Sequence, residues 1–115
     1  MALYYNLSNV NEQAQNELVV VKNTIEEFVE MAETKLLKLE KAISKKKYDK
    51  VLKHVAKLKK YLILFDIDEC VEYSNEIEIW ANKQASRKEI DEVFKVYNIR
   101  IEKALKEMKK DFKIA

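Results

Sequence analysis

One short stretch of this sequence combines a histidine with a dense group of lysines. His54 is the only histidine among the 115 residues, and between Ser44 and Tyr61 a single acid, Asp49, stands against eight lysines, at positions 45, 46, 47, 50, 53, 57, 59 and 60. An unprotonated imidazole nitrogen can attack a phosphoryl group, and a neighbouring ammonium group can neutralise phosphate charge. A positive cluster can also attract a negatively charged partner. Phosphoryl transfer and binding of an anionic partner are therefore the two kinds of chemistry to consider.

Other reactive sites are not favoured by the sequence. The one histidine and the one cysteine, Cys70, lie sixteen residues apart, and no Glu-x-x-His spacing occurs, so we expect no metal site. The chain contains no glycine, which excludes every glycine-rich phosphate loop. We expect no cofactor and no turnover enzyme, and at most a phosphotransfer intermediate. Cys70 is interpreted as a small core residue, and Tyr73 and Trp80 as aromatic residues at the edge of the core.

The lysine-rich stretch is predicted to be a helix over residues 48–65 that buries one side. Its apolar residues recur at spacings of four, three, four and three, as in a helix with one buried face, at Val51, Val55, Leu58, Leu62 and Phe65. At 100° per residue, His54 lies about 60° from the centre of this stripe and Ala56 about 140° from it. We therefore expect His54 to be a partly buried residue at the edge of the core, whereas Ala56 should point outward.

A second stripe follows the outer side of the same helix. Its members are spaced by four, three and four residues and are Leu52, Ala56, Lys59 and Ile63. An exposed aliphatic patch with a collar of lysines is typical of the centre and rim of a docking surface. The alternative is that Leu52 and Ile63 are buried against the first or last helix, because a helix in a bundle can bury more than one stripe.

The composition favours long helices. The chain contains neither glycine nor proline, which argues against an all-β or a dinucleotide-binding α/β fold. Charged residues make up 37% of the chain but almost cancel, to a net charge of +2. The charge is unevenly placed, because residues 45–60 are basic and residues 66–78 carry six acids and no base. Residues 1–10 lack both a basic start and an apolar core, and no membrane-spanning run occurs, so we expect a cytoplasmic protein without a signal peptide.

Four main helices are predicted, over residues 17–43, 48–65, 67–83 and 87–110, after a leading segment over residues 1–15. The proposed caps are Asn16 for the first helix and the capping-box pairs Asp66 with Glu69 and Ser86 with Glu89. The first helix is expected to bury a stripe of Leu18, Val21, Ile25, Phe28, Val29, Ala32, Leu36, Leu39 and Ile43. Short links between long helices favour an all-α, up-down antiparallel four-helix bundle, formed as one domain by residues 1–115.

Three segments are similar to one known family over nearly the whole chain. They are FVEMAETKLLKLEKAISKKKYDKV, VAKLKKYLILFDID and NEIEIWANKQASRKEIDEVF, followed by the closing IEKALKEMKKDF. Together they resemble the histidine phosphotransfer (HPt) domains of two-component phosphorelays. That family has an exposed phospho-accepting histidine, with a small residue before it, an aliphatic residue two positions after it and a lysine three positions after it. A turn close to Phe-Gly-Met-Asp then starts the next helix.

The sequence departs from this pattern at the acceptor itself. In the gapless alignment Lys59 matches the family's lysine and Asp66 replaces the glycine of the turn, and the acceptor position is then occupied by Ala56. Alanine offers no nucleophile, so this alignment implies that phosphotransfer has been lost. A register shifted by two residues would use His54 with Lys57, but it puts Lys53 where the small residue belongs.

The resemblance implies a receiver-binding signalling module. In the family, the face around the acceptor docks onto a response-regulator receiver domain, so the implied partner is a receiver or a hybrid histidine kinase. The implied docking residues are Leu52, Lys53, Ala56, Lys59, Lys60 and Ile63. The alternatives are an active phosphotransfer protein that uses His54 and, from another class, a helical bundle that binds protein or nucleic acid. Arginine is scarce and the net charge is small, so we expect no nucleic-acid partner; we also expect a monomer and no membrane partner.

Overall fold

The computed structural model describes residues 3–114, and in these residues it contains helices and no strand. The prediction of an all-helical chain is therefore confirmed. The elements, in order, are α1 (Ser8–Gln13), α2 (Leu18–Ser44), α3 (Tyr48–Leu64), α4 (Asp68–Lys83), a short 3₁₀ turn (Arg87–Glu89) and α5 (Asp91–Asp111). The predicted bounds of α2, α3 and α4 are correct to within one residue at each end. Helix α5 begins later than predicted, because residues 87–89 form the separate 3₁₀ turn.

Each long helix packs against the next one along the chain, and α5 also contacts α2. The side chains between them form one continuous core. Its largest fully buried members come from all four long helices and from α1, and include Phe28, Leu39, Leu58, Leu62, Phe65, Ile77, Ile90, Tyr97, Ile101 and Met108. Burial of these apolar surfaces is the main force that holds the helices together. The arrangement leaves the outer faces of α2 and α3 exposed to solvent along their charged positions.

The leading segment is attached to one end of the long helices. Tyr5 and Val10 are buried in the common core. The backbone N–H of Asn6 donates a hydrogen bond of 2.8 Å to the carbonyl oxygen of Phe65. The Tyr5 hydroxyl donates a bond of 2.7 Å to the carboxylate of Asp111. The segment is therefore held to the ends of α3 and α5.

The helices end in the left-handed conformation without the help of glycine. At the end of α2, Lys46 has φ 53°, and the amides of Lys46 and Lys47 donate to the carbonyls of Ile43 and Ala42 at 3.1 and 2.9 Å. This pair of hydrogen bonds is the usual way to satisfy the last carbonyls of a helix. Glycine is the residue best suited to the left-handed conformation that it requires. Here the left-handed residues are Gln15, Asn16, Lys46, Asp66, Gln84 and Lys113.

The predicted helix N-caps are wrong. Asp66 has a left-handed backbone that ends α3, and its carboxylate accepts a bond of 2.8 Å from the Asn9 side chain instead of capping α4. Asn16 is also left-handed and precedes the true N-cap of α2. Ser86 makes no side-chain capping bond to the 3₁₀ turn that follows it. The short links use these polar residues to end the preceding helix, which competes with capping the next one.

The buried stripe of α2 begins one turn later than predicted. Leu18 is 80% exposed, and Val21 is the first residue of α2 to enter the core. The other members of the predicted stripe, from Val21 to Ile43, are buried. Helical period places Leu18 on the same side as Val21, but a stripe is buried only where another element covers it.

One polar contact lies inside the core. The Ser74 hydroxyl of α4 donates a hydrogen bond of 3.0 Å to the hydroxyl of Tyr97 on α5, and both side chains are fully buried. Burial raises the pKa of the Tyr97 hydroxyl well above its usual value, so this group stays neutral. The bond satisfies polar atoms that would otherwise be buried without a partner.

Candidate functional site

The docking residues predicted on α3 lie on a face whose exposure changes along its length. Ala56 is exposed, and Ile63 exposes 51% of its surface, so neither is a core residue. Leu52 is half-buried and packs against the edge of the core. The exposed aliphatic part of the face is therefore formed by Ala56 and Ile63, with Leu52 at its inner edge.

The lysines around this face are held in different ways. The Lys59 ammonium is 2.9 Å from a carboxylate oxygen of Glu78, so it links α3 to α4. Both side chains of this pair are 28% exposed, so solvent screens the pair and it adds little to stability. Lys53 and Lys60 are exposed, and the Lys60 ammonium lies 5.9 Å from the centre of the Tyr61 ring. The positive rim of the face is therefore supplied chiefly by Lys53 and Lys60.

His54 lies on the opposite side of α3 from Lys59, towards α2. Its side chain is half-buried, and Nδ1 is 3.4 Å from the Lys35 ammonium. An ammonium group can only donate, so this contact favours the imidazole tautomer whose proton is on Nε2. Burial lowers the pKa of His54, and the positive charges of Lys35, Lys38, Lys53 and Lys50 lower it further. The imidazole is therefore neutral at pH 7.

His54 and Ala56 thus have different surroundings. Ala56 is on the exposed face of α3 and carries no group that can take part in a reaction. His54 borders a groove between α2 and α3 together with Lys53. The structure does not bring His54 into the predicted docking face, although the two positions are only two residues apart in sequence. Helical geometry explains the separation, because two residues turn the chain by about 200°.

Burial makes the thiol of Cys70 unreactive. Cys70 is fully buried in the core, as expected, and burial raises the pKa of its thiol to about 12. Trp80 is also buried, and its indole N–H donates a bond of 2.7 Å to the carbonyl of Ser86. Tyr73 is half-buried.

Within residues 3–114, no group of three or more histidine, cysteine or carboxylate side chains is placed to hold a metal ion.

The lysines that α2 brings to the groove were not predicted as site residues. Three of them lie on the last three turns of the helix, at positions 35, 38 and 41, and the fourth is its C-cap, Lys45. Spacings of three and four residues put side chains on one side of a helix, so the pattern is visible in the sequence. What the sequence does not show directly is that this side of α2 lies next to the lysines and the histidine of α3.

No helix among residues 3–114 combines the length and the apolar character that crossing a membrane requires. Comparison with models of protein families, with curated proteins and with solved structures finds no match to this chain.

Proposed function

We propose that this protein is an HPt-like docking module of two-component signalling, built as an up-down antiparallel four-helix bundle, that binds a receiver domain without transferring phosphate. The observation that carries the proposal is the exposed aliphatic surface of Ala56 and Ile63 on α3, bordered by Lys53 and Lys60. An isoleucine that exposes half its surface beside an alanine offers an apolar centre that a partner can bury. The surrounding lysines match a negatively charged surface.

The choice of a receiver as partner rests on the resemblance to HPt domains. In that family the same face of the same helix docks onto a receiver, whose phosphorylation pocket is acidic. Electrostatic attraction of this kind speeds the encounter of two proteins more than it tightens the final complex. The association rate of the complex should therefore fall steeply as the salt concentration rises.

The loss of phosphotransfer follows from the groups at the acceptor position. Ala56 has no nucleophile. Lys59 matches the lysine that lies beside the phosphoryl group in HPt domains, and here it is paired with Glu78. A lysine paired with a carboxylate neutralises less of an incoming phosphate's charge. The face is therefore suited to binding and not to group transfer.

The test is binding of a panel of receiver domains by wild-type protein and by two matched variants. Ile63→Glu places a charge in the centre of the docking face, while Ile99→Glu makes the same change on α5, where the isoleucine is 42% exposed. We expect Ile63→Glu to weaken binding at least about tenfold, because a buried unpaired carboxylate costs more than about 1.4 kcal/mol. Ile99→Glu should bind as wild type does. No binding by wild type, or equal loss in both variants, would exclude the proposal.

A second candidate function is phosphotransfer by His54. It is favoured by the neutral imidazole and by the lysines around it, which would stabilise a phosphoryl group. It is opposed by the half-buried ring and by the contact of Nδ1 with Lys35. Incubation with a radiolabelled phospho-receiver decides between the candidates. Acid-labile label on wild type that is absent from His54→Ala would make His54 the acceptor. Labelling of Ala56→His alone would support the docking module.

A further inference from the structure

A groove of about 530 Å³ runs between the second half of α2 and the first half of α3. It lies on the side of α3 that faces away from Lys59 and Glu78, and it is separate from the aliphatic centre of the docking face. Apart from Ala42 and His54, every residue that lines it is a lysine, and the lysines are Lys35, Lys38, Lys41, Lys45, Lys47, Lys50 and Lys53.

The lysines form two rows that face each other across the groove. One row runs along α2 to its C-cap, Lys45, at spacings of three, three and four residues. The other runs from the N-cap of α3, Lys47, along that helix at spacings of three and three, so each row follows one side of its helix. The α2 row extends over ten residues, or about 15 Å at 1.5 Å per residue. The charges therefore converge on the same concave space from two walls, instead of pointing away from a convex surface.

These positive charges have no negative partners. No acidic side chain lines the groove, and within residues 3–114 none of its lysines forms an ion pair. Three lysines outside the groove form ion pairs: Lys22 with Glu26, Lys59 with Glu78 and Lys109 with Glu33. The chain carries 20 acids, so the cluster is not forced by an excess of basic residues.

Crowding of like charges lowers the pKa of two lysines in the groove. Burial and the charges of Lys57, Lys38 and Lys53 lower the pKa of Lys35. The pKa of Lys47 is lowered by Lys50 and by Lys45. Repulsion of this kind disfavours the folded state, and a bound anion removes it.

We infer that this groove binds a soluble oligophosphate, a compact anion that carries several linked phosphate groups. Lysine ammonium groups are point-charge donors that suit phosphate oxygens. Several of them converge here on a space of the size that holds a small ligand. The lining contains no phenylalanine, tyrosine, tryptophan or arginine, and its one ring, that of His54, is half-buried. It therefore lacks the series of stacking surfaces that a single-stranded nucleic acid requires. A concave site between two helices also fits a compact anion better than the broad surface of a bilayer.

His54 gives this site a built-in reporter. The charged groups that face it are Lys35 and Lys38 from α2 and Lys50 and Lys53 from its own helix, and no acid lines the groove beside it. Burial and these lysines together hold the pKa of His54 below its usual value in the free protein. An oligophosphate bound among them adds negative charge close to the ring and raises the pKa of His54.

The experiment measures binding of inorganic tripolyphosphate to the 115-residue chain by calorimetry at 0.15 M salt. Wild type should bind it in a one-to-one complex, much more tightly than it binds inorganic monophosphate. The variant Lys38→Glu/Lys50→Glu changes one lysine on each wall, both exposed, and should lose at least about tenfold in affinity. The control Lys95→Glu/Lys106→Glu makes the same change in net charge at exposed positions of α5 and should bind as wild type does. In parallel, NMR titration of the His54 ring should show its pKa rising when the groove is saturated.

Three results would overturn the inference. The first is no binding of tripolyphosphate by wild type at millimolar concentration. The second is an equal loss in the groove and control variants, which would mean diffuse attraction by the whole protein. The third is tighter binding of duplex DNA or of vesicles containing anionic lipid than of tripolyphosphate, which would make the lysines a macromolecular docking surface. Ile63→Glu leaves the groove unchanged and should bind tripolyphosphate normally, so failure of receiver docking and failure of this inference are distinguishable.

Discussion

Replacement of Gln84 by glycine should make this protein more stable. Gln84 ends α4 with φ 51° and ψ 45°, in the left-handed region, and its side chain is exposed. Its amide and that of Ala85 donate to the carbonyls of Ala81 and Trp80, so the conformation is required by the helix end. A residue with a Cβ pays about 1–2 kcal/mol for this conformation, and glycine does not.

The net effect is smaller than this penalty. Glycine has more conformational freedom in the unfolded chain, which costs roughly 0.5–1 kcal/mol on folding. Among residues 3–114, no hydrogen bond of the Gln84 side chain would be lost. The expected gain in the free energy of unfolding is therefore about 0.5–1 kcal/mol, or about 2–5 °C in melting temperature for a chain of this size. Urea denaturation monitored by circular dichroism measures the free energy of unfolding, and thermal denaturation measures the melting temperature.

A matched control separates the backbone effect from any general effect of glycine. Glu76 is exposed in the interior of α4 and forms no ion pair among residues 3–114, so Glu76→Gly should lose about 0.5–1 kcal/mol. The two variants should therefore shift stability in opposite directions. If Gln84→Gly destabilises the protein as much as Glu76→Gly does, α4 does not end in a left-handed residue at position 84.

Three further predictions concern groups inside the core or at its edge. Cys70 should resist thiol reagents at pH 8 in the native protein and react only on unfolding, because its thiol is fully buried with a pKa of about 12; fast labelling of the native protein would contradict this. Tyr97→Phe should lower the free energy of unfolding by about 1–3 kcal/mol by leaving the Ser74 hydroxyl without its partner, and Ser74→Ala/Tyr97→Phe should lose less than the sum of the single changes. The free energy of unfolding should fall as the pH drops through 6.5, because His54 takes up a proton at a higher pH in the unfolded chain than in the folded protein. The free energy of unfolding of His54→Gln should depend less on pH in this range. The same pH dependence in the variant and in wild type would refute the lowered pKa.

The helices were predictable because local pattern and packing agree along most of the chain. The stripe from Val51 to Phe65 and the stripe from Val21 to Ile43 repeat with the helical period, and both are buried. Leu18 has the same spacing but is exposed. The spacing of apolar residues identifies one side of a helix, but it does not show whether another element covers that side. The same limit applies to the docking face, where the pattern did not decide between exposed and buried. There the structure leaves Ile63 exposed and Leu52 half-buried.

The ends of the helices were predicted less well, for a reason that lies in the composition. In a chain without glycine, the left-handed residue that closes a helix has no marker in the sequence. The polar residues in the short links can serve either the end of one helix or the start of the next. Asp66 could cap α4 or end α3, and its sequence context favours the cap. The structure uses it to end α3, where its carboxylate also accepts the bond from Asn9.

The lysine groove is a property of two helices together, so the pattern of a single helix does not predict it. Considered alone, the lysines of α2 are the solvated side of an amphipathic helix, and those of α3 are the surroundings of a histidine. The turn at Lys46 brings α3 back along α2, and the two rows then lie side by side with Lys35 against His54. Two solvated faces that repel each other are expected to turn apart or to acquire acids between them. Here they share a concave space that no acid lines, and a multiply charged anion is the ligand that offsets this repulsion.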